Sequence, residues 1–246
     1  MTQTVKPLGG KNYGSIPHLP GSRMGPGDHH CHTGQEVICT TRVRDKHDFI
    51  IVQEKLDGSN VGIAKINGKI LSLNRAGYEA TTSPYEQHHR FAAWVREHYQ
   101  RFDALLRDGE RVVGEWILQA HGTRYRLKHE PFVAFDLMRG TDRLPYEEFV
   151  MRAVGADLII PKLIHAARTP LAVDAALFLL GEFGHHGAID PVEGAVWRVE
   201  RDELIAPQRG SERRRVVDFL AKYVRPDKQD GKFLESVTGQ PSVWNT

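Results

Sequence analysis

Residues 53–60, Gln-Glu-Lys-Leu-Asp-Gly-Ser-Asn, decide how this chain is interpreted. Lys55 ends an extended run that begins at Phe49, and an acidic tight turn follows it. A neutral lysine amine is a strong nucleophile toward phosphoryl and carbonyl centres, but its reference pKa of about 10.4 must first fall through desolvation, neighbouring cations or a metal. The same run is ordinary turn chemistry after a surface lysine, so by itself it fits both a covalent nucleophile and a solvated side chain.

Short extended runs and separate helices surround this stretch. Strands are predicted at 49–54, 61–66 and 69–73, and Asn67-Gly68 predicts a type I′ hairpin turn between the last two. Ser83-Pro84 opens one long amphipathic helix, predicted over 85–107. Further strands are predicted at 111–118, 132–137, 158–163, 194–199 and 216–223, with helices near 146–154 and 170–181. Hairpins interleaved with helices favour an α+β class built on antiparallel sheets over a doubly wound parallel sheet.

The composition is that of an ordinary folded chain. Of the 246 residues, 40% are apolar and 26% are charged, which excludes disordered and collagen-like classes. The formal net charge is only +2, so a polyanionic partner would need a local basic patch. No run of about 18 apolar residues occurs, so no membrane association is expected. Cys31 and Cys39 form no CxxC pair and fit a reducing compartment, which favours a cytoplasmic protein.

The N-terminal part of the chain is dense in glycine and proline. Residues 7–35 are therefore expected to be irregular, with Tyr13, Ile16 and Leu19 docking part of the segment on the core. The run at 28–32 contains three histidines and a cysteine. Adjacent ligands converge poorly on a tetrahedral zinc ion, and no second ligand pair follows at the usual spacing, so no zinc site is expected there.

Six short motifs follow one another in a recognisable order. The Lys-x-Asp-Gly run at 55–58 resembles the nucleophile motif of the covalent nucleotidyltransferases, the superfamily of ATP-dependent DNA ligases, RNA ligases and mRNA capping enzymes. The other motifs resemble those of the same superfamily in sequence order: LNRAG (73–77), VGEW (113–116), FVAFD (132–136), VEGAV (192–196) and FLAKY (219–223). Ser59-Asn60 and the leader KNYGSI (11–16) are similar to RNA ligases of the RNA ligase 2 type.

This resemblance implies a nucleotidyltransferase (ATP-grasp-like) fold of antiparallel sheets flanked by helices, without an appended OB domain. Residues 1–228 are expected to form the RNA ligase domain, and 229–246 a C-terminal tail. The implied activity is ATP-dependent RNA ligation in RNA repair: a lysyl-AMP intermediate forms, AMP passes to an RNA 5′-phosphate, and that end is sealed to a 3′-hydroxyl. Two alternatives stay open, a nucleotide-binding regulatory module that has lost sealing and a DNA ligase catalytic domain, in which an arginine usually stands where Asn60 is found.

The implied partner is RNA with 5′-phosphate and 3′-hydroxyl ends. Because no RNA-gripping domain follows the catalytic unit, either a partner protein that grips RNA or heals its ends, or the 7–35 segment, is expected to assist. The basic cluster of Arg209 and residues 213–215 fits both RNA phosphates and a solvated loop.

The resemblance also assigns nucleotide-binding roles to individual residues. Lys55 is implied as the nucleophile, Phe135 as the residue that stacks on adenine, and Glu54 as the acceptor of the adenine amino group. Phe135 fits an ordinary strand position in the core equally well. Ribose and phosphate contacts are implied for Glu115, Arg75 and Asn60.

Cations are expected around the phosphates. Lys222 is implied at the α-phosphate, and Glu193 as a ligand of Mg²⁺ or Mn²⁺. The positive charges of Lys222 and of that metal ion are both expected to lower the pKa of Lys55. The last motif of phage-type RNA ligases usually ends Lys-x-Lys, whereas Val224 stands at its final position here. One phosphate contact is therefore missing, or Arg225 or Lys228 supplies it.

Overall fold

Two antiparallel sheets organise the chain. A computed structural model describes residues 5–205 and 212–246. The strands are β1 (Asp48–Lys55), β2 (Ser59–Ile66), β3 (Lys69–Asn74), β4 (Glu110–Trp116), β5 (Phe132–Arg139), β6 (Asp142–Arg143), β7 (Leu163–Ala167), β8 (Gly194–Ile205) and β9 (Glu212–Val224). One sheet has the order β7-β1-β8-β9 and the other β3-β2-β4-β5-β6. The expected α+β class with antiparallel sheets is confirmed.

Helices cover the outer faces of the sheets. They are α1 (Thr33–Thr40), α2 (Glu86–Glu97), α3 (Tyr99–Leu105), α4 (Tyr146–Gly155), α5 (Val173–Leu180) and α6 (Glu235–Thr238), with a 3₁₀ turn at Ala80–Thr82. The core beside the second sheet is aromatic, with Phe91, Phe102 and Phe149 buried near Phe132. A smaller core beside the first sheet centres on Trp197. None of the helices in the described ranges has the length and apolar character that crossing a bilayer requires.

The predicted hairpin is confirmed, whereas two predicted elements are wrong in extent. Asn67 and Gly68 both have positive φ, as a type I′ turn requires. The helix predicted over 85–107 is interrupted at His98, whose ring nitrogen Nδ1 lies 2.8 Å from the Trp94 carbonyl oxygen. The strand predicted at 158–163 instead runs over Leu163–Ala167, because Pro161 has no N–H to donate to a ladder. The sequence interpretation also missed α1.

Segments near both ends of the described residues pack on the sheets. Leu19 is fully buried and Tyr13 nearly so, which confirms the expected docking of the N-terminal segment. The backbone of Leu19 donates to the Lys222 carbonyl oxygen at 2.8 Å, so this segment runs beside β9. At the other end, the buried Asn245 donates to the Ile117 carbonyl oxygen at 2.7 Å. Arg209 of the basic cluster lies outside the described residues.

A buried ionic cluster joins the two sheets. Arg198 of β8 donates to Asp136 of β5 at 2.6 Å and to Glu200 at 2.7 Å. Tyr13 donates to the other oxygen of Asp136 at 2.6 Å, and Arg143 lies 3.0 Å from it. Burial of ionised groups is costly unless every partner is in place, so this cluster fixes how the sheets and the N-terminal segment sit together.

Replacing the central arginine of this cluster is expected to destabilise the fold. Arg198→Met leaves the carboxylates of Asp136 and Glu200 buried with a positive partner removed, which costs about 3–5 kcal/mol. Urea unfolding followed by circular dichroism measures the change in the free energy of unfolding. Arg96→Met, at an exposed position of α2, is the matched control and is expected to change it by less than about 0.5 kcal/mol. Equal stability of the two variants would contradict the role given to the cluster.

Candidate active site

A cleft of about 790 Å³ lies between the two sheets. The first sheet contributes the end of β1 and the edge of β9, and the second contributes β2, β4 and β5. Every candidate site residue from the sequence lines this one cleft: Glu54, Lys55, Asn60, Arg75, Glu115, Phe135, Glu193 and Lys222. Side chains from six separate motifs therefore meet in a single cavity.

Two glycines of the motifs permit close backbone approaches around Lys55. Lys55 pairs with Gly194 at the end of β1, where a Cβ on the glycine would lie 1.9 Å from the Tyr223 carbonyl oxygen. The chain then crosses to the second sheet, and a Cβ on Gly58 would lie 2.5 Å from the Trp116 carbonyl oxygen. Any larger residue would shift the backbone that presents the lysine.

Asp57 of the nucleophile motif lines the cleft and anchors the turn through one of its carboxylate oxygens. Its Oδ2 atom accepts hydrogen bonds from the Gly122 N–H at 2.9 Å and the Thr123 hydroxyl at 3.0 Å. Its backbone N–H donates to the Tyr125 hydroxyl at 3.0 Å. The sequence interpretation gave no role to residues 122–125, because no local pattern links them to a turn some 65 positions earlier.

Lys55 forms an ion pair with Glu193, whose Oε2 atom accepts from the lysine Nζ at 2.5 Å. Burial favours the neutral amine, but the carboxylates of Glu193 and Glu115 outweigh it and raise the pKa of Lys55 above its ordinary value. The lowering expected from Lys222 together with a bound cation stays a prediction. Among the protein's own groups the charges nearest the amine are carboxylates, and Lys222 lies 3.6 Å from Asp28.

The carboxylates of the cleft are held in buried surroundings. Burial raises the pKa of Glu115 to about 7, and one of its oxygens accepts the Gly58 N–H at 3.1 Å. Burial also raises the pKa of Glu193, although the charge of Lys55 partly offsets this. Glu115 and Glu193 thus bind protons more readily than exposed carboxylates do, and a nearby cation would favour their charged forms.

The adenine end expected from the sequence contains Phe135 and Glu54. Phe135 is half-buried and meets the Tyr13 ring edge-on, with the centroids 5.2 Å apart. Glu54 is buried, and its Oε2 atom accepts the backbone N–H of His185 at 3.0 Å. Burial raises the pKa of Glu54 to about 7. The loop that carries His185 was not anticipated, and it fixes the orientation of this carboxylate.

Asn60 lies on β2, and Arg75 directly follows β3. Asn60 pairs with Glu115 across β2 and β4, and its buried Oδ1 atom has no hydrogen-bond partner within the protein. A buried acceptor without a partner is costly, and a ligand hydroxyl or amine in the cleft would satisfy it. Arg75 is exposed, and its guanidinium lies 3.4 Å from the Ser15 hydroxyl.

Three histidines, His18, His88 and His121, line the cleft, and none of them was predicted as a site residue. His18 lies against Asp28 at 3.1 Å, and burial lowers its pKa to about 4. His121 lies 3.1 Å from the Gln87 Oε1 atom, and burial likewise lowers its pKa to about 4. Both rings are neutral at physiological pH and can accept or donate single hydrogen bonds without adding charge.

Neither residue expected to replace the missing lysine of the last motif lines the cleft. Lys228 is buried, and its ammonium donates to the Thr123 hydroxyl and the Pro191 carbonyl oxygen, both at 2.7 Å. Arg225 lies 3.3 Å from Asp227 on the surface. Lys228 therefore supports the loops around Asp57.

The fold is shared with solved RNA ligases. A variant of the Naegleria gruberi RNA ligase with ATP and Mn has a TM-score of 0.51 at 13% identity, covering 85% of this chain and 58% of that chain. A second variant, with AMP and Mn, has a TM-score of 0.52 at 14% identity, covering 85% and 59%. An archaeal ATP-dependent RNA ligase gives 0.45 at 18% identity, covering 86% and 48%.

This chain thus spans between 48% and 59% of the length of those three structures. No curated protein matches the chain in sequence. The family model described as RNA ligase matches residues 48–224, more than half of the chain and all of the strands around the cleft. The chain therefore belongs to the RNA ligase family.

Proposed function

We propose that this chain is the catalytic unit of an ATP-dependent RNA ligase that joins RNA 5′-phosphate and 3′-hydroxyl ends in cytoplasmic RNA repair. The observation that supports it most is a half-buried lysine in a cleft that gathers all eight expected residues. Residues 1–228 form the nucleotidyltransferase unit in this proposal. Both cysteines are free, as a reducing compartment favours.

The proposed reaction has three steps. In the first, the neutral Nζ of Lys55 attacks the α-phosphorus of ATP, an N–P bond forms, the bond to pyrophosphate breaks, and the amine proton leaves to solvent. In the second, an oxygen of the RNA 5′-phosphate attacks the same phosphorus, and the N–P bond breaks as Lys55 regains a proton. In the third, the RNA 3′-hydroxyl attacks the 5′-phosphate, AMP leaves, and the hydroxyl proton is released.

The residues of the cleft divide this work between them. Phe135 offers a ring face for the adenine, and the buried Asn60 carbonyl oxygen accepts from a ribose hydroxyl. Lys222 and Arg75 supply positive charge to the phosphates, which a transfer dominated by positioning and charge neutralisation requires. Glu54, held by the His185 N–H, accepts from the adenine amino group, and Glu115 faces the ribose.

Glu193 fits a divalent cation. Mg²⁺ is usually bound through one or two carboxylates, waters and substrate phosphates, and Glu193 is a nearly buried carboxylate in the cleft. When bound there, Mg²⁺ or Mn²⁺ would neutralise phosphate charge. Among the described residues no group of three or more His, Cys, Asp and Glu side chains could hold a metal, which suits a site completed by the nucleotide. Glu193 holds the ammonium of Lys55 in the free protein. Binding of Glu193 to a cation would therefore release the lysine amine.

Replacing the stacking residue is expected to weaken nucleotide binding. Base stacking on an aromatic side chain contributes about 1–3 kcal/mol, so Phe135→Ala should raise the KM for ATP by about tenfold or more. Single-turnover formation of lysyl-AMP at varied ATP concentration measures it. Phe178→Ala, at a side chain that is 85% exposed on α5, is the control and should leave the KM unchanged. An unchanged KM in Phe135→Ala would place this ring in the core only.

Sealing assays test the proposed function. Incubation with labelled ATP and Mg²⁺ should leave AMP on the protein in an acid-labile, base-stable N–P linkage, and nicked or broken RNA should then be joined. Parallel all-DNA and hybrid substrates test the DNA ligase alternative. Normal ATP binding without transfer of label would contradict the ligase and favour a nucleotide-binding regulatory module.

A further inference from the structure

The positively charged side chains of the cleft are not equally available to a ligand. Among the described residues, those that line it are Arg23, Lys55, Arg75, Arg198 and Lys222. Arg198 is fixed by Asp136 and Glu200, with all three side chains almost fully buried. Lys55 is the proposed nucleophile. Arg23, Arg75 and Lys222 therefore remain to bind the triphosphate.

Arg23 takes the place beside β9 that the last motif leaves empty. Its backbone N–H donates to the carbonyl oxygen of Val224 at 2.9 Å, where the phage-type pattern has a second lysine. Leu19 makes the equivalent bond to Lys222 at 2.8 Å, so the N-terminal segment carries Arg23 along the same edge. Arg23 thus lies on the wall that also presents Lys222. A guanidinium suits a diphosphate because its planar set of donors binds two oxygens at once.

Arg23 is engaged by the C-terminal segment. Its Nη1 atom lies 2.5 Å from Oδ1 of Asp230, which also lines the cleft. The two side chains are 28% and 66% exposed. An ion pair of this exposure is screened by water and salt and contributes little to stability, in contrast to the buried pair of Arg198 and Asp136. A diphosphate, with more negative charge than one carboxylate, can therefore displace Asp230.

We propose that Arg23 and Asp230 form an exchangeable clasp at the cleft: the β- and γ-phosphates of ATP replace Asp230 as the partner of Arg23, and Asp230 returns when pyrophosphate leaves. The inference rests on the proposed function and adds a leaving-group contact and a competing carboxylate to it. Arg23 contacts the departing oxygens while the N–P bond to Lys55 forms. Asp230 lowers the affinity of the resting protein for ATP and speeds the release of pyrophosphate.

The clasp acts only on ligands that carry the β- and γ-phosphates. AMP lacks them, and so does RNA whose 5′ end already carries AMP. Loss of Arg23 should therefore weaken the binding of ligands that carry these phosphates and spare the others. A general distortion of the cleft would weaken the binding of all ligands alike. Loss of the Asp230 charge should act in the opposite direction to loss of Arg23.

Calorimetric titration with ATP, pyrophosphate and AMP tests the clasp. Arg23→Ala should weaken ATP and pyrophosphate binding by about tenfold and leave AMP binding within about twofold. Asp230→Asn should strengthen ATP and pyrophosphate binding by about threefold and leave AMP binding unchanged. Arg225→Ala is the matched control, since this nearby arginine pairs with Asp227 outside the cleft, and should change none of the three.

Three results would overturn the clasp. Arg23→Ala could weaken the binding of ATP and AMP equally, or it could leave the binding of all three ligands unchanged. Asp230→Asn could weaken the binding of ATP. Thermal unfolding of each variant checks the fold. Because the Asp230 side chain is largely exposed, Asp230→Asn should fold and can test the clasp even if Arg23→Ala does not. The proposed function fails separately. A wild-type protein that binds these ligands but never becomes labelled with AMP would contradict the ligase while leaving the clasp intact.

Discussion

Lys55→Ala is expected to abolish formation of the protein–AMP adduct and to lower ATP-dependent RNA joining by about a thousandfold or more. Among the described residues, Lys222 is the only other lysine that lines the cleft, and its ammonium is held toward Asp28. The first step therefore has no replacement nucleophile. Labelled ATP followed by denaturing electrophoresis measures the adduct, and a nicked RNA duplex measures joining.

The third step provides an internal control for this variant. Sealing of RNA that already carries AMP forms no bond to Lys55, so Lys55→Ala should lose far less of that activity than of adduct formation. Lys69→Ala, at an exposed position of β3, is the matched control and should retain both activities. Labelling of Lys55→Ala at the wild-type level would show that another side chain takes the nucleotide.

The strands and the site were predictable because each motif pairs an extended run with one chemically unusual residue. Glu115 and Glu193 stand out as carboxylates in or beside apolar strands, which are rarely buried without a partner. The ordered motifs also placed Phe135 and Lys222 in the same cleft. Local pattern and motif order were sufficient here, since the ends of neighbouring strands in two facing sheets meet at one place.

The partners of these residues were not predictable in the same way. Asp28, treated as part of a histidine cluster, lies beside Lys222, and Asp230 from the C-terminal tail reaches Arg23. Such pairs join segments some two hundred positions apart, and no local periodicity encodes them. The ion pair of Lys55 with Glu193, which raises the pKa of the lysine, was not anticipated for the same reason, because it joins two segments far apart in the chain.

Glu193→Gln is expected to slow adenylylation of Lys55 by about a hundredfold or more, because it removes both the carboxylate proposed to bind the metal and the charge that faces the lysine. The same change should shift the pH dependence of the remaining activity to lower pH. Glu193 raises the pKa of Lys55, so its neutralisation lowers that pKa, and the reactive neutral amine is then reached at lower pH. Single-turnover rates between pH 6 and 10 at ATP concentrations well below the KM report the pKa of the free protein and measure both effects.

The two effects separate the roles of this carboxylate. Below the pKa of Lys55 the wild-type rate should rise about tenfold per pH unit, and the glutamine variant should reach its plateau earlier at a lower maximum. Glu182→Gln is the matched control, at an exposed glutamate between α5 and β8, and should keep the wild-type rate and pH profile. A slower reaction with an unshifted profile would contradict control of the lysine charge by Glu193, and an unchanged maximum would contradict its metal role. The amide of glutamine retains the shape of the carboxylate, so packing around Lys55 stays the same. Changes in the maximal rate and in the pH profile therefore report on the charge of residue 193.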